Sequence, residues 1–149
     1  MPTQFAHTNI VAKDWKALAR FYEIALGCTP LAPELVLSGD WLDDLVGLSG
    51  CSLHGVNLRM PGHGDSGPML EILTYEDMPE GPVMHANTPG MAHLAFAVDD
   101  VEAAVKAFVA NGGSLVGKSI VKEVPGVGRL SAAYARDPEG NIVELMRWD

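Results

Sequence analysis

The chain has 149 residues, 48% of them apolar or aromatic, which is enough to bury one good core or two small packed halves. Its formal net charge of −9 argues against nucleic-acid binding, which requires clustered lysine and arginine side chains. It has no secretory leader and no apolar run of about 18 residues, so we expect a soluble cytoplasmic protein without membrane contact. Cys28 and Cys51 lack CxxC spacing and are interpreted as small hydrophobic residues.

The first part of the chain predicts a strand, a helix and further strands. The hydrophobic period changes at Asp14 from about two residues to about 3.6, so Asp14 is a predicted helix N-cap and Gly27 the helix stop. Short β-like runs follow at 35–38, 56–60 and 69–75, with a hairpin loop at 61–68.

The second part of the chain nearly restates the first. His7 aligns with His93 and Asp14 with Asp100 in one register, and the run around Glu71 resembles the run around Glu144. This copy predicts a strand at His93, a helix from Asp100, and then more strands. These strands are at 121–124, 130–136 and 142–147, with a tight turn at 137–141. We therefore expect one domain over 1–149 in the α+β class, built of two tandem modules at about 3–77 and 89–149.

Four side chains in these repeated strands predict a metal site. His93 shares a strand face with the small residues Ala95 and Ala97, which leaves room for a ligand. Glu71 and Glu144 lie in apolar runs, where a carboxylate is costly to bury without a partner. Because the same His-then-Glu pair recurs in both copies, folding about a pseudo-twofold axis would bring His7, Glu71, His93 and Glu144 to one ion. Two imidazoles and two carboxylates suit Ni, Co, Zn, Mn or Fe(II), with one or two positions left for water or substrate.

At these residues the sequence resembles the vicinal oxygen chelate superfamily of glyoxalase I, methylmalonyl-CoA epimerase, extradiol dioxygenases and fosfomycin- and bleomycin-resistance proteins. The resemblance covers nearly the whole chain, and its most specific part is the closing segment 137–145, Asp-Pro-Glu-Gly-Asn-Ile-Val-Glu-Leu. It implies paired βαβββ modules that form an eight-stranded, partly closed sheet around a central metal. The internal repeat suggests the same fold independently.

The resemblance also implies a chemistry. In this superfamily the metal chelates neighbouring substrate oxygens and stabilises the enolate formed when a carbon-bound proton leaves. Glu71 or Glu144 could then act as the base. We expect an epimerase or isomerase acting on a small keto-sugar, cyclitol or acyl thioester, because the stretch from Trp41 to Met60 looks more like epimerases than like compact glyoxalase I. Acyl-CoA epimerases often carry Gln where Glu71 stands, which weakens the acyl-CoA alternative.

Other activities of the superfamily remain open alternatives. The first is lactoylglutathione lyase (glyoxalase I). The others are an Fe(II) dioxygenase, a drug-binding resistance protein and a fosfomycin-type thiol transferase. A dioxygenase would use two histidines and one carboxylate and is commonly about twice this length, whereas drug-binding members typically lack the ligands.

The substrate contacts predicted from the strands are Arg59, Asn9 and Tyr134. Arg59 is preferred because its guanidinium could hold a carboxylate or phosphate in bidentate fashion. Members of the superfamily usually dimerise, so we also expect a homodimer that acts on a small-molecule substrate.

Overall fold

The computed structural model describes residues 2–149 and divides into two compact units, Met1–Glu80 and Gly81–Asp149. The division lies in the Pro- and Gly-containing stretch at 78–90. Within the described residues, no helix has both the length and the apolar character needed to cross a bilayer.

Unit 1 is a four-stranded sheet with two helices. Its elements are β1 (His7–Val11), α1 (Trp15–Leu26), β2 (Thr29–Ser38), α2 (Asp40–Val46), β3 (Ser52–Arg59) and β4 (Met69–Tyr75). The strand order is β1-β4-β3-β2, with β1 parallel to β4 and the other pairs antiparallel. Helix α1 contacts β3 and β4 and buries Leu18 and Tyr22, while Leu58, Leu70 and Ile72 are fully buried. One face of this sheet is therefore core, and the other face carries Glu71.

The ends of α1 follow from local chemistry. The Asp14 carboxylate accepts a hydrogen bond of 3.0 Å from the Ala17 amide, and Gly27 adopts the left-handed conformation at φ 70°. The predicted cap residues at both ends of this helix are confirmed. Thr74 in β4 fixes the start of the helix, since its hydroxyl accepts from the Trp15 amide at 3.0 Å and donates to the Ala12 carbonyl at 2.8 Å.

Unit 2 is a five-stranded sheet with one helix. Its elements are β5 (His93–Ala97), α3 (Val101–Ala110), β6 (Ser114–Leu115), β7 (Ile120–Val124), β8 (Gly128–Arg136) and β9 (Ile142–Trp148). The order is β5-β9-β8-β6, and β7 also pairs with β8. Strand β5 is parallel to β9, as β1 is to β4, and α3 contacts β8 and β9. Val143 and Leu145 of β9 are fully buried, and so is Phe108 of α3.

The turn between β8 and β9 is organised by one buried carboxylate. Asp137, only 3% exposed, accepts hydrogen bonds from the Glu139 amide, the Asn141 amide and the Asn141 side chain, all at 2.8–2.9 Å. Gly140 has φ 94°, so the predicted tight turn at 137–141 is confirmed. The turn fixes the start of β9 and therefore the position of Glu144 along that strand.

The predicted α+β class is confirmed, with differences in detail. The strands lie in two sheets of four and five strands, without a closed barrel among residues 2–149, and a two-residue strand, β6, brings the described strands to nine. Strand β2 extends over Thr29–Ser38 although only 35–38 was predicted, because its two prolines and a register shift between Leu31 and Leu35 interrupt the pattern.

Helix α2 was not predicted from the sequence. It packs Leu42 against Leu53 and Leu73, which share the Glu71 face of the sheet. Its seven residues are too few for a helical period to be recognised. The Asp43 carboxylate then accepts hydrogen bonds of 2.7 Å from the Gly50 and Cys51 amides and ties α2 to the start of β3.

Candidate functional site

Unit 1 brings His7 and Glu71 together through strand register. In the parallel β1–β4 pairing, Asn9 lies opposite Glu71, and His7 lies two residues earlier on the same face. The distance from His7 Nε2 to Glu71 Oε1 is 3.9 Å. These two predicted ligands are therefore neighbours.

Unit 2 places His93 and Glu144 by the same rule. In the parallel β5–β9 pairing, Ala95 lies opposite Glu144, and His93 lies two residues earlier. The distance from His93 Nε2 to Glu144 Oε2 is 3.2 Å. Strands β1 and β5 also share one burial pattern, with their fourth residue buried and their first, third and fifth exposed. The sequence repeat is thus also a structural repeat, with a His–Glu pair in each unit.

Both carboxylates are mostly shielded from solvent, with 21% of the Glu71 side chain and 18% of the Glu144 side chain exposed. In each case the facing polar group is an imidazole nitrogen. A carboxylate placed this way favours a positively charged partner, because partial burial weakens its hydration. Each pair therefore presents one nitrogen and one oxygen ligand to the same region of its sheet face.

The donor set of each pair suits a borderline divalent ion. Two ligands that each lie about 2.1 Å from one metal are about 3.0–3.4 Å apart. The His93–Glu144 separation falls in this range, and the His7–Glu71 separation is somewhat wider. Among residues 2–149, no group of three or more His, Cys, Asp or Glu side chains is arranged to hold a metal ion. The four-residue ligand set therefore stays a prediction.

Asn57, beside Glu71, was missed by the sequence analysis. It lies directly opposite Glu71 in the antiparallel β3–β4 pairing, so the two side chains share one face. Its Oδ1 is buried and has no hydrogen-bond partner within residues 2–149. The alternation of polar and apolar residues at 57–59 places Asn57 on the face of Arg59, and this signal could have found it.

Arg59 lies two residues beyond Asn57 on the same face. Its Nη1 contacts Asp65 Oδ1 at 3.1 Å, and the Asp65 side chain is 93% exposed in the hairpin loop. The buried Nε of Arg59 has no hydrogen-bond partner in the described part of the chain. Among the described residues, the predicted substrate contact Arg59 is thus held only by a solvent-exposed carboxylate, which a ligand could displace.

Asn9 and Tyr134 have different environments. The Asn9 side-chain amide donates to the Glu71 carbonyl at 3.3 Å, which links β1 to β4. Tyr134 lies opposite Glu144 in the β8–β9 pairing, and its ring centroid is 4.8 Å from that of His93. Tyr134 therefore holds in unit 2 the position that Asn57 holds in unit 1.

A separate cavity of about 240 Å³ lies in unit 2 at the beginning of α3. Arg129, Ser131 and Arg147 line it from the sheet, and strand alternation places them on the face opposite Glu144. The Arg147 guanidinium is bound by Asp149 and by the Asp99 carbonyl. This cavity is therefore distinct from the His–Glu pair.

The geometry agrees with a comparison against known families. A family model described as the Glyoxalase/Bleomycin resistance protein/Dioxygenase superfamily matches residues 4–145. The chain belongs to this superfamily. The resemblance carried by the His–Glu strands and the closing segment is thereby confirmed.

Solved structures share the glyoxalase-superfamily fold at low sequence identity. A glyoxalase family protein from Bacillus cereus matches with a TM-score of 0.83 and 19% identity, over 99% of this chain and 95% of that one. A glyoxalase I mutant from Zea mays matches with a TM-score of 0.64 and 20% identity, over 95% of this chain and 45% of that one. A virulence protein from Salmonella typhimurium matches with a TM-score of 0.56 and 19% identity, over 100% and 99% of the two chains. No curated protein shows significant sequence similarity.

Membership sets broad limits on function. The superfamily includes many enzymes as well as non-enzymes, and its members typically bind a divalent metal ion. Members act on small molecules and often form dimers.

Proposed function

We propose that this protein is a metal-dependent isomerase or epimerase that removes a proton from the carbon next to a substrate carbonyl. In this proposal His7, Glu71, His93 and Glu144 supply the ligands of its divalent metal ion. The repeated register carries the proposal. In each unit a half-buried Glu pairs with a residue of the neighbouring parallel strand, and a His lies two residues before that paired residue. A repeat of fold alone would not require both ligand-type residues to recur.

The proton transfer would fall to Glu71 or Glu144. A carboxylate held on a sheet face can accept a carbon-bound proton and return it, to the opposite face of the same carbon for epimerisation or to the neighbouring carbon for isomerisation. A bound divalent ion would supply the positive charge that offsets developing negative charge on the substrate oxygen. The imidazoles of His7 and His93 adjoin the two carboxylates and would keep them oriented.

Metal content of the tag-free protein, measured by mass spectrometry, tests the ligand assignment. We expect near-stoichiometric metal after incubation with Ni, Co, Zn, Mn and Fe(II). Alanine variants of the four proposed ligands should each lose it. His54 offers a matched control. Its Nε2 also lies 3.9 Å from a carboxylate oxygen, that of Glu76, but the Glu76 side chain is 68% exposed.

The variant His54→Ala should keep the metal, since its pair is not repeated in unit 2 and its carboxylate is well hydrated. A parent protein that stays empty with every ion would contradict the enzyme proposal. A binding or resistance protein would then be the better account. Metal retained after each of the four ligand substitutions would contradict the site assignment alone.

Exchange with D₂O tests the chemistry. Incorporation of deuterium next to the carbonyl of a candidate keto-cyclitol, followed by NMR, is expected for the metal-loaded parent and should be lost in Glu71→Gln or Glu144→Gln.

Lactoylglutathione lyase activity is the alternative function. Two carboxylates could catalyse its proton transfer equally well, since this reaction differs from epimerisation in the carbon that receives the proton. Conversion of the hemithioacetal of methylglyoxal and glutathione to a thioester would favour that reaction. Oxygen consumption with a catechol would instead indicate an Fe(II) dioxygenase.

A further inference from the structure

The Glu71 face of unit 1 carries two unsatisfied polar atoms of opposite character. Asn57 Oδ1 is a buried hydrogen-bond acceptor without a donor, and Arg59 Nε is a buried donor without an acceptor, both judged within residues 2–149. Folding pays a desolvation cost to bury such atoms, and native proteins pair nearly all of them. Groups left in this state call for a partner that the chain itself does not supply, such as a water molecule, an ion or a ligand.

Strand register fixes where that ligand group would lie. Asn57 is the direct cross-strand neighbour of Glu71, and Arg59 pairs with Met69 one step further along the same face. Both side chains therefore lie on the sheet face of the carboxylate proposed to take the proton, Asn57 directly beside it and Arg59 one step further along. A substrate that reaches Glu71 would present its neighbouring groups to them.

The repeat shows that this feature is specific to unit 1. In unit 2 the corresponding positions hold Tyr134, whose ring contacts His93, and Arg136. The Arg136 guanidinium donates to the Gly140 carbonyl at 2.8 Å and to the Met84 carbonyl at 2.7 Å, so it is engaged in the structure of its own unit. The orphaned acceptor and donor are thus a departure from the repeat that the fold itself does not require.

We propose that Asn57, with Arg59, binds substrate hydroxyl groups and selects a polyhydroxylated keto compound over an acyl thioester or a simple hydroxyketone. The inference rests on the proposed function and names the substrate class of that site. A hydroxyl both donates and accepts, so neighbouring hydroxyls satisfy Asn57 Oδ1 and Arg59 Nε together. A thioester or ketone oxygen only accepts and would leave Asn57 Oδ1 unpaired.

Two probes isolate this preference. Both 2-keto-myo-inositol and 2-hydroxycyclohexanone offer a carbonyl beside a hydroxyl, but only the first carries further hydroxyls. Isothermal titration calorimetry with the metal-loaded full chain should give a dissociation constant at least about tenfold lower for the first probe. In Asn57→Leu this ratio should fall to near one, while the affinity for 2-hydroxycyclohexanone stays within about twofold.

Controls separate binding from folding. Asn57→Leu should melt at or above the parent temperature, because it removes a buried unpaired acceptor, and Asn57→Ala provides a second variant without added bulk. The remote variant Asn111→Leu, which loses only a bond to the Ala107 carbonyl at the end of α3, should keep the full ratio. A structural role for Asn57 would weaken both probes alike.

Equal affinities for the two probes in the parent protein would overturn the inference, and so would the absence of binding for both. A ratio of dissociation constants that stays at the parent value in Asn57→Leu would also overturn it. Because selectivity is measured by binding, its outcome is separate from that of the proposed reaction. Selective binding without deuterium exchange would contradict only the proposed reaction. Exchange without selectivity would contradict only the role of Asn57.

Discussion

Gly55 is the point where β3 approaches β4 too closely for any side chain. A Cβ added at this position would lie 2.2 Å from the Ile72 carbonyl oxygen and 2.5 Å from Leu73 Cδ2, whereas Cβ contacts under 3.0 Å are essentially never seen. The obstruction is mainly backbone, so β3 would have to move by roughly 1 Å and stretch the ladder that places Asn57 opposite Glu71. We expect Gly55→Ala to lower the free energy of unfolding by about 3 kcal/mol, the upper end of the usual cost of overpacking.

Urea titration followed by tryptophan fluorescence measures this loss, and for a chain of this size it corresponds to a fall in melting temperature of about 6–12 °C. Gly81→Ala is the matched control, since an added Cβ there meets nothing within 4 Å and its φ is not in the left-handed region. That variant should be unchanged or more stable by about 0.4–1 kcal/mol. A loss below about 1 kcal/mol in Gly55→Ala would refute the reasoning, because it would mean that the two strands separate at little cost.

Three further outcomes follow from single contacts. Asp137→Ala should cost about 3 kcal/mol in urea unfolding because three donors of its turn lose a charged acceptor, and Asp137→Asn should cost clearly less; equal losses would contradict this account. Thr74→Val should cost about 1–2 kcal/mol in the same assay, since the Trp15 amide and the Ala12 carbonyl lose their shared partner, and an unchanged midpoint would count against it. Burial raises the pKa of Cys28 to about 11, so at pH 8 its labelling by a thiol reagent should be far slower in native Cys51→Ser protein than in urea. The folded state holds the Cys28 thiol proton more tightly than the unfolded state. The contribution of this proton to the free energy of unfolding is therefore present below about pH 8.5 and is lost as the pH rises towards 11. Fast labelling of the native protein would contradict the raised pKa of Cys28.

Several features of the fold were predictable because their signals are local. An aspartate before a change of hydrophobic period indicated the start of α1 and of α3. Asp14 and Asp100 at these two caps, and Asp137 in the turn, each accept a backbone hydrogen bond, as short polar residues do at such positions. The β2 and α2 segments were less visible, because prolines interrupt the first and the second is only seven residues long.

The candidate ligands were also visible in the sequence, since the repeat placed a His at the head of one strand and a Glu within another in both copies. The sequence does not contain the distance between them. Parallel pairing of β1 with β4 brings His7 to 3.9 Å from Glu71, and parallel pairing of β5 with β9 brings His93 to 3.2 Å from Glu144. The two residues of each pair are far apart in the sequence.

The sequence by itself determined the α+β class, the repeat, both caps of α1 and the N-cap of α3, and it supplied the four candidate ligands, because each of these depends on periodicity or on side chains close in the chain. Only the tertiary structure decided that Asn57 faces Glu71 with an oxygen that has no partner within residues 2–149. It also decided that Arg136 is bound to two carbonyls, whereas its counterpart Arg59 keeps one donor without an acceptor in the same range. Hydrogen-bond satisfaction depends on which strands pair and in what register, and that pairing is set by contacts between residues distant in the chain.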